Sequence, residues 1–190
     1  SIRTGWFYHP EEDTDVRTAD ELLDIYLDAV GANASLLLNI PPDTHGRIAA
    51  PDCASLAELG TKIQQIFAGN VTEKAKITAD SAIAQHPITQ AVDGMADTYW
   101  QAAYGQEFDT ITLKFPKPQK VSCVVLGEHL PTGQRIESGE IWADGSKTSE
   151  FTVVGHKRIC CFTPVDVQTL TIKITASRTE PTLRLLEVYQ

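Results

Sequence analysis

The chain has 190 residues, of which 42% are hydrophobic and 22% are charged, and its formal net charge is −9. This composition is typical of a globular protein that is long enough to bury one or two cores. No apolar run approaches the roughly 18 residues that a membrane-spanning helix needs, and no cluster of Lys and Arg accompanies the acidic balance. We therefore expect neither nucleic acid nor a membrane as a partner.

The charge is unevenly distributed along the chain. Residues 1–70 contain eleven acidic and four basic residues, a balance of −7, whereas residues 71–190 contain fourteen and twelve, a balance of −2. This shift predicts a domain boundary near residue 70.

A first helix is predicted by a capping pattern and by the spacing of its apolar residues. Thr18 is the expected N-cap, Glu21 completes a capping box, and Gly31 is expected to end the helix. One face of this helix is apolar and contains Ala19, Leu22, Leu23, Tyr26, Ala29 and Val30. The opposite face carries Asp20, Asp24 and Asp28. A second helix is predicted to start at Pro51 and to end at Gly69-Asn70, with a buried stripe of Leu56, Leu59, Ile63, Ile66 and Phe67.

Two segments that precede these helices are predicted to be strands. The first is Ile2–Tyr8, and the second is Ser35–Ile40, an unalternated apolar run that suits a strand buried on both faces. The order strand, helix, strand, helix is too short to close a sheet and predicts the last βα units of a (β/α)8-like barrel. Function in such a barrel lies where strands exit, here residues 6–12 and 39–46. The aromatic residues of the first exit therefore indicate a ligand pocket, with plain core packing as the alternative.

The same region resembles a known family. The stretches SIRTGWFYHPEED (residues 1–13), LLDIYLDAVGANASLLLNIPPDTHGRIAAPD (22–52) and LAELGTKIQQIF (56–67) resemble the C-terminal end of the catalytic domain of α-L-fucosidases. The resemblance implies a retaining glycoside hydrolase with a (β/α)8-like barrel. It also implies that the catalytic Asp and Glu lie upstream of these residues, so we expect no catalytic residue in this chain and no activity from it alone.

The predicted substrate-binding residues are Trp6, His9 and Asn39. An indole can cover the apolar, methyl-bearing face of fucose, and an imidazole can donate to or accept from its hydroxyls. Asn39 and Asp43, at the second exit, are weaker candidates than Trp6 and His9, and His45 is expected to face solvent. The adjacent Glu11-Glu12 is expected to be solvated, because a retaining pair needs carboxyl groups about 5–5.5 Å apart and adjacent residues on an extended segment diverge.

After residue 70 the helical spacing disappears and alternating segments predict strands. These are Phe108–Phe115, Lys120–Leu126, Ile136–Ala143, Phe151–Val154, Arg158–Phe162, Thr169–Ile174 and Leu183–Tyr189. Turns are expected at residues 116–118, 131–133 and 144–146. Many short strands at this spacing predict an antiparallel β-sandwich, so the whole chain is predicted to be an α+β fragment.

The stretch AVDGMADTYW at residues 91–100 resembles the AxDGxxxTxW signature of the discoidin, or factor V/VIII type C, family of carbohydrate-binding modules. These modules are galactose-binding-like jelly rolls, and the resemblance implies a structural calcium, which prefers oxygen ligands. The implied ligands are Asp93, Thr98 and Glu187, with the carbonyls of Ala91 and Met95. The alternative is that Asp93 and Thr98 only cap a turn. Trp100 is expected in the core.

The sequence leaves open whether this module binds sugar or supports the barrel. The candidate sugar-binding residues are Tyr99, Tyr104, His129, Trp142 and Arg158, and nothing in the sequence places them on one rim.

The four cysteines do not form a metal or redox motif. Cys53, Cys123, Cys160 and Cys161 lack CxxC spacing, and adjacent residues on a strand point to opposite faces. We therefore expect buried free thiols.

Together the patterns and the two resemblances imply the C-terminal portion of a secreted or periplasmic bacterial α-L-fucosidase, with residues 1–70 in the catalytic barrel and residues 71–190 as the module. The expected partners are a fucosylated glycan and the remainder of the barrel. The expected reaction is retaining hydrolysis of α-L-fucosyl linkages, with α-1,3/1,4 linkages as first candidates. The alternative is a non-catalytic carbohydrate-binding protein that keeps the barrel remnant as a scaffold.

Overall fold

The computed structural model describes residues 1–190, which divide into two compact units. The first unit contains Ser1–Val30 and Ala34–Gln65, and the second contains Gly31–Asn33 and Ile66–Gln190. None of the helices combines the length and the apolar character that crossing a membrane would require.

The first unit is built on two helices, α1 (Ala19–Ala29) and α2 (Ala50–Ile66), and a short 3-10 turn at Pro10–Glu12. Thr18 caps α1, because its Oγ1 accepts the backbone N–H of Glu21 at 3.3 Å while the Glu21 carboxylate accepts the backbone N–H of Thr18 at 2.8 Å. This is the predicted capping box, and both predicted helices are confirmed within a few residues of their expected ends. A small apolar core joins the helices: Ile2, Ala19, Leu22 and Leu59.

The prediction of two strands in this unit is wrong. Ile2–Tyr8 and Ser35–Ile40 are irregular, and Leu37 in the second segment is 94% exposed. A strand buried on both faces needs a partner on each side for its backbone groups. Here one backbone hydrogen bond joins the two segments, from the Ile2 N–H to the Asn39 carbonyl at 2.9 Å, and the chain then bends.

The second unit is an antiparallel β-structure with eight strands. They are β1 (Lys76–Ala79), β2 (Trp100–Gln101), β3 (Asp109–Gly127), β4 (Ile136–Ala143), β5 (Ser146–Phe151), β6 (Arg158–Ser177), β7 (Thr182–Leu183) and β8 (Leu185–Tyr189). The main sheet has the order β1-β3-β6-β4-β5 with β8 also paired to β3, and β2 pairs with β7 separately. Short 3-10 turns lie at Thr72–Lys74, Ile88–Ala91 and Leu130–Thr132.

Strands β3 and β6 are longer than predicted, because each joins two expected strands. The turn expected at residues 116–118 is instead a bulge: the pairing passes from Lys114↔Thr169 to Gln119↔Val167, so residues 115–118 of β3 lie opposite a single residue of β6. Proline has no N–H to donate to a ladder and is tolerated at such bulges. The first half of β3 also pairs with β1 and its second half with β8.

Strand β5 lies earlier than predicted. The expected strand Phe151–Val154 contributes only Phe151, because the chain reverses at Asp144 and Gly145 and pairs immediately with β4. Both turn residues have positive φ, 45° and 86°. This is the backbone shape that an Asp-Gly hairpin turn takes, as expected for residues 144–146.

One large apolar core fills the second unit. Trp100 is fully buried in it and its indole N–H donates to the Ser81 carbonyl at 3.0 Å, which confirms its expected place. All four cysteines are free. Cys123 and Cys160 are buried, whereas Cys53 and Cys161 are exposed, so the prediction of buried thiols is wrong for those two.

Candidate functional site

The aromatic loop, residues 6–9, presents its first two side chains to solvent. Trp6 is 70% exposed and Phe7 is 77% exposed. The bends at residues 3–7 turn these side chains away from the small core of the first unit. Within residues 1–190, Trp6 and Phe7 therefore lie outside the small apolar core of the first unit.

A buried ion pair lies beneath this loop. Arg3 is 1% exposed, and its Nε and Nη2 donate to the carboxylate of Asp52 at 3.1 and 2.6 Å. Asp52 is fully buried in the first turn of α2, where the helix dipole favours a negative charge. The Arg3 Nη2 also donates to Asp13 at 2.7 Å. The hydrogen bond to Asp52 is the largest influence on the pKa of Arg3 and raises it above its ordinary value.

The same guanidinium fixes the end of the aromatic loop. Its Nη1 donates to the carbonyl of His9 at 3.3 Å, and its carbon lies 4.8 Å from the centre of the Tyr8 ring. The Tyr8 hydroxyl donates to Asp13 at 3.4 Å. Desolvation, followed by the charge of Asp13, raises the pKa of Tyr8. Arg3 thus connects the loop to α2 through polar contacts rather than through apolar packing.

Asn39 holds the beginning of the loop. Its side-chain amide donates to the Trp6 carbonyl and to Ser1 Oγ, both at 3.1 Å, and Ser1 Oγ donates to the Gly5 carbonyl at 2.7 Å. The structure therefore brings the predicted residues Asn39 and Trp6 together. The N–H groups of the Asn39 amide therefore hold the backbone at Trp6 and the side chain of Ser1.

The remaining predicted residues of this unit are at the surface. The imidazole of His9 is exposed, with Nδ1 4.0 Å from a Glu11 carboxylate that is itself 75% exposed. The carboxylate of Asp43 accepts the N–H groups of His45 and Arg47 at 2.8 and 2.9 Å, and these bonds lower its pKa. Asp43 thus closes its own turn, and His45 faces solvent as predicted.

Sequence reasoning did not identify Arg3, Asp13 and Asp52 as functional residues. An Asp in the first turn of a helix is normally interpreted as a partner of the helix dipole, and an isolated Arg in a predicted strand shows no partner. The one available signal was that a charged residue lies inside a segment predicted to be buried. Such a residue needs a buried counter-charge.

The Asp93 turn in the second unit gathers oxygen atoms. The Thr98 hydroxyl lies 2.9 and 2.8 Å from the two Asp93 carboxylate oxygens, and the Met95 N–H donates to the same carboxylate at 2.9 Å. Gly94 supplies the positive φ of 74° that the turn needs. The Met95 carbonyl is 3.4 Å from the Thr98 hydroxyl. These hydrogen bonds hold Asp93, Met95 and Thr98 together in one turn.

A cavity of about 150 Å³ adjoins this turn, and three of the implied calcium ligands line it. They are Ala91, Asp93 and Glu187, and Glu73 lies on the same wall. The Glu187 carboxylate accepts the Tyr189 hydroxyl at 2.9 Å. No group of three or more His, Cys, Asp or Glu side chains in residues 1–190 is arranged to hold a metal. A cation here would therefore depend on carbonyl and hydroxyl oxygens together with two carboxylates, which fits the implied donor set.

Two of the five candidate sugar-binding residues of the second unit lie together. Tyr99 is stacked between His86 and His129, with ring centres 3.9 Å apart on each side. Burial, followed by the charge of His86, lowers the pKa of His129. The other three candidates have other surroundings: Tyr104 is 76% exposed, the Trp142 indole donates to Glu140, and Arg158 donates to the Val153 carbonyl.

Comparison with known proteins gives consistent results. Residues 1–65 match the family model for α-L-fucosidase. The chain is 31% identical to α-L-fucosidase 1 of Arabidopsis thaliana, over the whole of this chain and 39% of that protein.

Solved structures agree with this result. A candidate α-L-fucosidase from Bacteroides thetaiotaomicron matches the whole chain and 43% of its own length, with 29% identity and a TM-score of 0.93. A GH29 fucosidase from Ruminococcus gnavus, solved in complex with fucose, matches the whole chain and 40% of its own length, with 26% identity and a TM-score of 0.89.

The proteins that these comparisons match are glycoside hydrolases. The homologues of the chain are α-L-fucosidases, and the match is to their C-terminal region, as the resemblance in the sequence indicated. The chain spans about two fifths of the length of the curated relatives that it matches.

Proposed function

We propose that this chain is part of an α-L-fucosidase that hydrolyses terminal α-L-fucosyl linkages of glycans with retention of configuration. In this proposal the catalytic carboxylates come from chain outside these residues, and residues 1–70 belong to the catalytic barrel. The aromatic loop contributes Trp6 and His9 to the fucose pocket, and Asn39 positions Trp6. The first linkages to test are α-1,3 and α-1,4, and the expected location is secreted or periplasmic.

The observation that carries this proposal is the aromatic loop itself, which Arg3 and Asn39 hold by polar contacts to its backbone. Aromatic rings combine a large apolar face with low conformational entropy, which suits them to contact the apolar face of a sugar. The loop lies within the residues that match the α-L-fucosidase family model.

The proposal implies a longer protein that contains residues 1–190, and a comparison of that protein with residues 1–190 alone tests it. We expect the longer protein to release fucose from an aryl α-L-fucoside and residues 1–190 alone to be inactive. Proton NMR of the first product should show α-fucose before mutarotation, because a retaining enzyme passes through a covalent intermediate.

Three outcomes would contradict the proposal. Hydrolysis by residues 1–190 alone would place catalytic residues inside the chain. Release of β-fucose first would indicate inversion. A longer protein that binds fucosylated glycans without hydrolysing them would support the alternative, a carbohydrate-binding protein that keeps the barrel remnant as a scaffold.

We further propose that residues 71–190 form a discoidin-like module with a structural calcium. Asp93, Thr98 and Glu187 would hold the ion, together with the carbonyls of Ala91 and Met95. Calcium prefers about 6–8 oxygen ligands, and the donors named here are all oxygen atoms. The ion would tie the Asp93 turn to β8, which contributes Glu187.

A thermal melt tests the calcium proposal. An ion that binds only the folded state stabilises it by about 2.7 kcal/mol at one hundred times its Kd, so calcium should raise the Tm and a chelator should lower it. Asp93→Asn should remove this difference. Asp97→Asn, at an exposed neighbouring carboxylate, is the matched control and should keep it. The same midpoint with calcium and with chelator would contradict the proposal.

A further inference from the structure

Two thiols face each other across neighbouring strands of the second unit. Cys123 of β3 and Cys161 of β6 are directly paired in the antiparallel register, and their sulfur atoms are 3.3 Å apart. Residues opposite each other in antiparallel strands have Cα atoms about 4.5–5.5 Å apart. A disulfide accepts Cα separations of about 4.4–6.8 Å. The strand pairing therefore already meets the backbone requirement for a bond between these residues.

We propose that Cys123 and Cys161 are a site of disulfide formation, with a low-molecular-weight disulfide such as oxidised glutathione as the oxidant. The bond would join the two longest strands of the sheet, β3 and β6. It is independent of the proposed fucosidase activity, because it depends only on the strand register and the two thiols.

The two sulfur atoms differ in access and in acidity. Cys161 is exposed, whereas Cys123 is 1% exposed. The hydrogen bond between them lowers the pKa of Cys161 and raises the pKa of Cys123. The thiolate is the reactive form of cysteine. Cys161 is therefore the sulfur that an oxidant in solution reaches first and the one that is more readily ionised.

The chemistry then proceeds by two thiol–disulfide exchanges. The Cys161 thiolate attacks one sulfur of oxidised glutathione, which breaks the S–S bond, releases a glutathione thiolate and leaves a mixed disulfide on Cys161. Cys123 gives up its proton to the released thiolate, and its sulfur attacks the Cys161 sulfur and expels the second glutathione thiolate. The two cysteines lose two electrons and two protons, and one oxidised glutathione becomes two reduced molecules.

The neighbouring thiol does not compete for this bond. Cys160 is paired with Val124 rather than with a cysteine, and its side chain belongs to the apolar core of the second unit. Burial raises the pKa of Cys160 to about 12. Cys53, exposed in α2, is the other thiol that solvent reaches, so the experiment must separate it from Cys161.

Peptide mapping after oxidation tests the proposal. Residues 1–190, treated with oxidised glutathione and then alkylated and digested with trypsin, should yield peptide 121–135 linked to peptide 159–173. The bond closes a loop between positions 38 residues apart. A loop of that length should raise the Tm by about 10 °C relative to the reduced protein.

Matched variants assign the bond to the two residues. Cys161→Ser should abolish both the linked peptide and the Tm increase, and Cys123→Ala should do the same from the buried side. Cys160→Ala and Cys53→Ser should keep both. If the wild-type protein retains free Cys123 and Cys161 under conditions that oxidise a dithiol control peptide, the proposal is wrong. A linked peptide that persists in Cys161→Ser would equally overturn it.

Discussion

The two units of the chain are stabilised in different ways. The second unit has a large apolar core that includes Trp100, whereas the core of the first contains four residues beside a buried Arg3–Asp52 pair. Buried ion pairs add little net stability compared with apolar packing, but breaking one is strongly destabilising. In the first unit, a buried ion pair holds the geometry of one loop, whereas in the second unit the burial of apolar side chains holds the strands together.

The largest expected effect is in the apolar core of the second unit. Trp100→Ala should lower the free energy of unfolding by about 3–5 kcal/mol, because it removes a fully buried indole and leaves a cavity. Urea unfolding measures this change. Met95→Ala, at a side chain that is 58% exposed, is the control and should change stability by less than about 0.5 kcal/mol. A similar loss in both variants would mean that Trp100 is not part of a tightly packed core.

The next effect is in the first unit. Asp52→Ala should destabilise the chain by about 3 kcal/mol, because it leaves the Arg3 guanidinium buried without its main partner. Hydrogen exchange should increase in residues 2–17 and α2, and β3 and β6 should keep their protection. Glu58→Ala removes an exposed partner of Lys62 in the same helix and should cost under about 1 kcal/mol. Equal costs for the two variants would remove the distinction between the buried and the exposed pair.

A smaller effect is expected at the start of α1. Thr18→Ala removes the capping box and should cost about 1 kcal/mol. Circular dichroism during urea unfolding measures the loss. Thr61→Ala, at an exposed threonine inside α2, should not be destabilising, since alanine has the higher helix propensity. If Thr18→Ala leaves the unfolding midpoint unchanged, the cap does not contribute to this unit.

The smallest expected effect is on the loss of stability at acidic pH. The Gly105 N–H, and after it the Thr179 hydroxyl, lower the pKa of Glu180 to about 2 from 4.5. Because the folded-state pKa is lower than the unfolded one, the resulting stability is present above about pH 4.5 and is lost as the pH falls toward 2. Glu180→Gln should therefore reduce the loss of unfolding free energy between pH 4.5 and pH 2. The reduction should be at most about 1 kcal/mol, because the side chain is only partly buried.

The exposed Glu107 is the matched control for this pH experiment. Thermal melts between pH 2 and pH 6 should show the same acid limb in Glu107→Gln as in the wild-type protein. If Glu180→Gln loses stability in acid as steeply as the wild-type protein does, the hydrogen bonds to Glu180 do not stabilise its ionised form.

Local patterns predicted the parts of the fold that depend on neighbouring residues. The capping box at Thr18 and the hairpin turn at Asp144-Gly145 involve groups that are close in sequence, and both were predicted correctly. The segment Ser35–Ile40 has the composition of a buried strand, but composition does not show whether partner strands are present. The bulge at Pro116–Pro118 was predicted as a turn because proline marks both.

The candidate sites were predictable to different degrees. The Asn39 amide contacts the Trp6 carbonyl, and three residues that the resemblance implies as calcium ligands, Ala91, Asp93 and Glu187, line one cavity. The pair of Arg3 and Asp52 could not be predicted, because its partners are 49 residues apart and neither has a distinctive local pattern. Long-range polar contacts of this kind depend on the packing of the helix, which residue spacing alone does not describe.

The most direct test of the account is the kcat/KM of the longer protein for an aryl α-L-fucoside, with Trp6→Ala compared with the wild-type protein. In residues 1–190 the Trp6 side chain is exposed, so Trp6→Ala in that chain should change the free energy of unfolding by less than about 0.5 kcal/mol. We predict a loss of kcat/KM of about 10- to 100-fold, which corresponds to losing an aromatic contact worth about 1.4–2.7 kcal/mol. A folded variant with kcat/KM within about twofold of the wild-type value would contradict the claim that the aromatic loop faces fucose.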